Sequence, residues 1–375
     1  MLKIISHKNG RRIGKLETKS GAINTPFFMP DATRGFAKSL GKEDLEKIGV
    51  GPMVVNTYHL YLQPGIDLIK KAGGINKFMN WEAPLLSDSG GYQIFSLIHK
   101  NPEMGKITDD KVIFKSPLDG KEHEFTPEEA IQIQFDLGVD MMVVLDDCPP
   151  NSYPKEKIEE AVKRTIGWAK RCKEEYNRQL RVRNEKLKRR PLIFGVIQGG
   201  TYKDLRKYCA EELIEIGFDG LGFGARHHDE KGNLMEELLK FTANLIPENY
   251  LRFALGVGTP EDIVQCAVMG WDIFDCVIPT REGRHGKLFI WKSDPNDANF
   301  HPNGPNGFYE TVNINNEKFK TDLSPVDEHC DCELCQNYSR AYLSHLFKAG
   351  DPLAMRLATI HNLRFYLRLM KQLQS

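Results

Sequence analysis

Hydrophobic and polar positions along the chain follow two periods in turn. Short, nearly unbroken apolar runs occur at 27–30 (FFMP), 53–58 (MVVNTY), 84–91 (PLLSDSGG), 141–147 (MMVVLDD), 193–200 (IFGVIQGG), 218–224 (FDGLGFG), 252–258 (RFALGVG) and 272–277 (DIFDCV). Most are separated by stretches of helical periodicity, such as GKEDLEKIG, PEEAIQIQFDLG, KEKIEEAVKRTIGWAKRCKEEY and TPEDIVQCAVMG. Strands that are apolar throughout, with a helix between each pair, are the mark of parallel pairing, and eight of them close a (β/α)8 TIM barrel. The expected fold is therefore α/β. A β meander over 1–25, turning at Lys8 to Gly10, precedes a barrel over 26–290, and helices packed on the barrel fill 291–375. Within the barrel, VIFKSPLDGKEHEFT reads as a β-hairpin insertion turning at Asp119 and Gly120.

Polar residues interrupt the apolar runs at one end. Asp88, Asp146, Asp147 and Gln198 each follow a run, and Asp275 lies inside the last one, between Phe274 and Cys276. These are C-terminal strand ends, the face on which barrel enzymes place their sites. An ionised carboxylate inside an apolar strand costs several kcal/mol unless it is held by partners. Asp275 is thus either a strand-end cap or a reactive group. Glycines crowd the same face, Gly222 and Gly224 among them, where they either let the backbone approach a flat ligand or simply form turns.

The chain of 375 residues is 41% hydrophobic and 27% charged, with a formal net charge of zero. An overall field attracting nucleic acid is absent, so any such partner requires a local basic face. Arg281, Arg284 and Lys287, together with Arg340, Lys348, Arg356, Arg364, Arg368 and Lys371, are the candidates. The charge-rich helix expected over 163–190 alternates acids with bases and reads as a solvated exterior. No apolar run reaches the roughly 18 residues of a membrane span, and the N-terminus lacks a signal pattern, so a cytoplasmic protein is expected.

Of eight cysteines, Cys148, Cys172, Cys209, Cys266 and Cys276 are scattered through expected core elements as reduced thiols. Cys330, Cys332 and Cys335 instead form a CxCxxC group, three soft ligands that want a fourth to make a closed structural zinc site. His329, His345 and His361 are the candidates for that position.

Several motifs in order, DSGGYQIFSL, NTYHLYLQPG, VIQGG, LGVGTPEDI, FDCVIPTREGRHG, CDCELC and IHNLRFY, resemble those of the tRNA-guanine transglycosylases, also called queuine tRNA-ribosyltransferases, of bacterial type. The likeness runs from about Asn24 to the C-terminus. It implies exchange of the wobble guanine of tRNA for a 7-deazaguanine base, either 7-aminomethyl-7-deazaguanine or queuine, in a homodimeric enzyme. Two carboxylates are what glycosidic substitution with retention requires. On matching positions, Asp275 is the expected nucleophile and Asp88 the proton carrier. Asp146 and Gln198 are expected to hold the base edge, Tyr92 to stack on it, and the backbone at Gly222 and Gly224 to line the pocket. The resemblance also selects His361 as the fourth zinc ligand. It fails over 225–230, where LGFGARHHDEKG replaces the family's loop, and FMPDATRG at 28–35 also departs from it. Two other readings remain: a noncatalytic partner subunit, disfavoured because both carboxylates are present, or an exchange enzyme for DNA or another RNA. The lack of a long C-terminal extension disfavours an archaeal-type enzyme.

Overall fold

The computed structural model describes residues 2–183, 189–297, 300–302 and 307–375. In chain order its strands are β1 (Leu2–Lys8), β2 (Arg11–Thr18), β3 (Gly21–Thr25), β4 (Phe27–Pro30), β5 (Met53–Asn56), β6 (Leu85–Asp88), β7 (Gly105–Ile107), β8 (Val112–Lys115), β9 (Glu122–Phe125), β10 (Met141–Val143), β11 (Leu192–Ile197), β12 (Gly220–Phe223), β13 (Leu251–Ala254), β14 (Ile273–Cys276), β15 (Lys287–Trp291) and β16 (Tyr309–Asn313). Eight of these form one parallel sheet in the order β4-β14-β13-β12-β11-β10-β6-β5. A parallel bridge from Asp31 to Val54, with Ala32 N–H donating to Val54 C=O at 2.8 Å, joins the two outer strands and closes the barrel.

Side chains alternate across a strand, so residues two apart share a face. Phe27, Met29, Val54, Leu86, Met141, Val143, Phe194, Val196, Phe253 and Ile273 form one buried cluster, the barrel interior. Leu16 of β2 and Ile23 of β3 belong to that cluster, so the meander closes the N-terminal end of the barrel. The outer faces of the strands pack on the helices in a second, larger core.

The insertion is larger than the expected hairpin. Gly105–Ile107 pairs with β8 to make an antiparallel three-stranded sheet, β7-β8-β9. The charge-rich helix spans Lys155–Arg183, and one face of it, including Ile158, Val162, Ile166, Trp168 and Ala169, is buried against the barrel. The expected continuation over 184–188 lies outside the described residues.

Most of the C-terminal cations expected to form a phosphate-binding face are paired within the protein. Arg356 bonds Asp44 and Glu333, Arg364 bonds Asp331 and the carbonyl of Ile48, Arg340 bonds Asp322 and Val326 O, and Lys348 bonds Glu317. Arg368 donates to the carbonyl of His329. These contacts tie the region to itself and to the barrel, because a guanidinium beside a fixed carboxylate gains more from that charge-assisted bond than from water. Among the described residues no helix is long and apolar enough to cross a membrane.

Candidate active site

Continuing the interior register by two residues past Met29, Leu86, Val196 and Ile273 puts Asp31, Asp88, Gln198 and Asp275 on one face at the C-terminal mouth. The same count from Val54 adds Asn56. The fold thus converts an apolar barrel lining into a ring of carboxylates and amides over one further residue per strand.

Each carboxylate is held on one oxygen. Asn56 Nδ2 donates to Asp88 Oδ1 at 2.6 Å, and the Gly90 amide donates to the same oxygen at 3.0 Å. The Gly256 amide donates to Asp275 Oδ1 at 2.9 Å. Burial pushes the Asp88 carboxyl up to about 7, with the charge of Asp275 adding to it against the bonds from Asn56 and Gly90. Burial likewise lifts Asp275 to about 6, helped by Asp31 and opposed by the Gly256 amide. A proton carrier working near neutrality needs a value in this range, whereas Asp275 as a nucleophile acts in the ionised form that predominates above about 6.

Asp146 and Gln198 are brought together. Gln198 Nε2 donates to Asp146 Oδ2 at 2.6 Å, and Gln198 Oε1 is buried without a donor. Burial raises Asp146 to about 7. Gly224 lies against this pair, since a Cβ there would sit 2.5 Å from Gln198 Cδ. At Gly222 a Cβ would meet Leu255 Cδ1 at 2.3 Å, so the lack of a side chain there lets the upper barrel pack. Asp147, sequence neighbour of Asp146, turns away and pairs with Arg164.

Tyr92 is 51% exposed and lines a cleft of about 470 Å³ with Cys148, Asn151, Arg226, His228 and Met235. That volume is in the range of small-ligand sites. The loop after β12 overhangs the cleft: Ala225 takes a left-handed backbone (φ 86°), and Asn151 Nδ2 binds the carbonyl of Arg226 at 3.0 Å. Of the three expected phosphate-binding cations, Arg281 and Lys287 are half-exposed beside Glu282, while Arg284 is partly buried, with the charge of Asp31 acting on it.

Asp31 is the residue that sequence reasoning missed. It follows Pro30 and lies just past the strand, but counting by two from Phe27 would have placed it in the ring. Its carboxylate accepts from the Thr33 amide at 3.0 Å and from the Thr33 hydroxyl.

A second constellation lies beneath β15. The ligand atoms of Cys330, Cys332, Cys335 and His361, all buried, lie within 4.8 Å of one another. His361 Nδ1 is 3.3 Å from Cys335 Sγ and 3.6 Å from Cys332 Sγ, while its Nε2 is 2.8 Å from the carbonyl of Phe289. A backbone carbonyl on the far nitrogen fixes the tautomer that leaves Nδ1 free as a ligand. Neither His329 nor His345 joins this group. The cluster is suited to hold a metal ion.

A parallel eight-stranded barrel with half-buried carboxylates gathered at its C-terminal mouth defines the α/β-barrel class, and carboxylates on that face are the groups that glycosyl transfer uses. A family profile described as queuine tRNA-ribosyltransferase matches residues 7–375. The queuine tRNA-ribosyltransferase of Halothermothrix orenii is 42% identical over 364 residues, covering 97% of this chain and 89% of that protein. The one from Thermoanaerobacter pseudethanolicus is 42% identical over 368 residues, with 98% and 90% covered. The one from Staphylococcus aureus is 40% identical over 368 residues, with 98% and 89% covered. The chain belongs to the queuine tRNA-ribosyltransferase family and is a pentosyltransferase.

Proposed function

We propose that this enzyme exchanges the wobble guanine of tRNA for a 7-deazaguanine base by double displacement at Asp275. The observation that carries this reading is the pair Asp88 and Asp275, each bonded through Oδ1 alone and each raised toward neutrality by burial. Asp275 attacks C1′ as the bond from C1′ to the guanine ring nitrogen breaks, and Asp88 gives its proton to the departing base. The incoming base returns a proton to Asp88 and attacks C1′, breaking the ester to Asp275. Two inversions leave the ribose configuration as it began.

A guanine edge presents N–H donors and one carbonyl oxygen. Asp146 suits the donors, and Gln198, with one Nε2 hydrogen used on Asp146, has a second for the carbonyl. The exposed ring of Tyr92 is free to stack on the base. Arg281, Arg284 and Lys287, following the nucleophile strand, are suited to the phosphates flanking the target nucleotide. The family resemblance further supports a cytoplasmic homodimer.

The four-ligand cluster fits Zn2+: three thiolates and one imidazole are a complete tetrahedral set with no open position. A bound ion would supply structure and no chemistry, fastening the segment of Cys330–Cys335 to the helix Pro352–Leu373. Cys332→Ser is expected to lose one zinc per chain by elemental analysis and to lower the unfolding temperature.

The function is tested by incubating the protein with labelled guanine and unmodified tRNA. Label should enter the tRNA without strand scission, and a 7-deazaguanine base should then displace it. Entry into DNA of the same sequence, with none into tRNA, would favour an exchange enzyme of another nucleic acid.

A further inference from the structure

Outside both constellations stands one further cluster of ligating side chains. His227 and His228 stand in the loop after β12, and Asp262 stands in the first turn of the helix Pro260–Val268. One ligand atom from each lies within 4.8 Å of the others. The two imidazoles sit side by side, with ring centres 4.4 Å apart. The loop that carries them is fixed from both ends: Met235 N–H donates to the carbonyl of His227 at 2.9 Å, and His228 bridges to Leu234.

The carboxylate of Asp262 is the second observation. Asp262 is 7% exposed, and its Oδ2 is buried with no hydrogen-bond donor. His228 Nε2 lies 3.0 Å from that oxygen, yet the angle is not that of a hydrogen bond. A nitrogen and an oxygen that share a metal ion, each at about 2.0 to 2.2 Å, stand about 3 Å apart with no hydrogen between them. A buried, unpartnered carboxylate oxygen facing two imidazoles is what such an ion would satisfy.

We propose that His227, His228 and Asp262 form a second metal site, one that takes a divalent d-block cation such as Zn2+, Co2+ or Ni2+. Two imidazoles and one carboxylate suit that class, and the absence of thiolate separates this site from the cysteine cluster. His228 is one-third exposed and also lines the cleft beside Tyr92, so the ion enters from solvent and keeps water on its remaining positions. Bound there, it clips the loop that overhangs the cleft onto the helix behind it.

The test uses the full chain carrying its cysteine-bound zinc, dialysed against Co2+ and analysed for both metals. The parent should gain one cobalt per chain while keeping its zinc, with weak d–d absorption and no thiolate-to-cobalt charge-transfer band. His228→Asn and Asp262→Asn should each weaken cobalt binding at least about tenfold, with zinc content and thermal unfolding unchanged. His345→Asn, at a histidine remote from the cluster, should bind cobalt as the parent does. A parent that takes up no cobalt, or takes it up only with the thiolate band, overturns the proposal however the variants fold. So does cobalt binding that survives both His228→Asn and Asp262→Asn.

Discussion

The two ends of the barrel both bury carboxylates, and they treat them differently. At the N-terminal end, Asp140, Asp219 and Asp272 each precede a strand and accept an amide from the neighbouring one: Leu85 N–H at 3.0 Å, Ile193 N–H at 2.9 Å and Arg252 N–H at 2.9 Å. Each also has a further partner. Asp140 takes the amide and hydroxyl of Ser20, Asp219 takes Arg190, and Asp272 takes Arg12 at 3.1 Å. At the mouth, Asp88 and Asp275 are each bonded on one oxygen and have no cation bonded to them. Burial raises Asp272 to about 7 as well, so an elevated value does not by itself mark a reactive group. What separates the ends is that Asp140 and Asp219 have partners on both oxygens and Asp272 has the Arg12 guanidinium against it, whereas Asp88 and Asp275 have neither.

The comparison predicts that substitutions at the mouth cost chemistry and those at the base cost stability. Asp275→Asn should lower exchange by about 10³-fold or more, because a nucleophile is lost, and leave tRNA binding in place. Asp88→Asn should lower it by about 10² to 10⁴-fold. Both follow from steady-state exchange with labelled guanine. Because the folded value of Asp275 is raised, its favourable contribution to stability is present at low pH and lost as pH rises through about 6. Asp275→Asn should therefore unfold at higher temperature than the parent at pH 8, with the difference shrinking as pH falls toward about 4.

Asp272→Asn should do the reverse. It leaves the buried guanidinium of Arg12 with only the exposed Glu248, at 3.6 Å, as counter-ion, and lowers stability in denaturant unfolding by about 1 to 3 kcal/mol. The folded fraction should keep its turnover. Equal loss of turnover and stability would erase the distinction between the ends.

A smaller effect comes from Asp31, whose charge adds to burial in raising both Asp88 and Asp275. Exchange should rise with pH through about 6 as Asp275 ionises and fall above about 7 as Asp88 loses its proton. Asp31→Asn should move both limbs of this profile to lower pH by a fraction of a unit.

The smallest effect is expected at Arg226, which lines the cleft beside Tyr92. Repulsion of a cationic base arm at about 4 Å amounts to about 1 kcal/mol in water-like surroundings. Arg226→Ala should therefore favour 7-aminomethyl-7-deazaguanine over an uncharged 7-methyl-7-deazaguanine by about fivefold in competition; an unchanged ratio would assign the loop no electrostatic part in selection.

All eight barrel strands were legible in the sequence, because a parallel strand buried on both faces leaves an unbroken apolar run. Gly105–Ile107 was not, since three residues with a lysine at the centre carry no period. Asp88, Asp146 and Asp275 stood out as carboxylates within or just after such runs. Asp31 did not, because Pro30 masks the strand end and only the interior register places it. The cysteine spacing announced a ligand group, whereas His361 was chosen among three histidines by family likeness. The pairing of the C-terminal arginines was not legible because their carboxylate and carbonyl partners carry no fixed spacing, and Asp44 and Ile48 lie some three hundred residues away in sequence.

Double displacement requires a transient covalent bond between Asp275 and the ribose of tRNA. The most direct measurement quenches the parent with acid during exchange, digests protein and RNA, and maps the mass of ribosylated peptides. One adduct should form, on the peptide carrying Asp275, that is absent in Asp275→Asn and disappears when excess base is added before the quench. An adduct on any other carboxylate, or full exchange by Asp275→Asn, would contradict it.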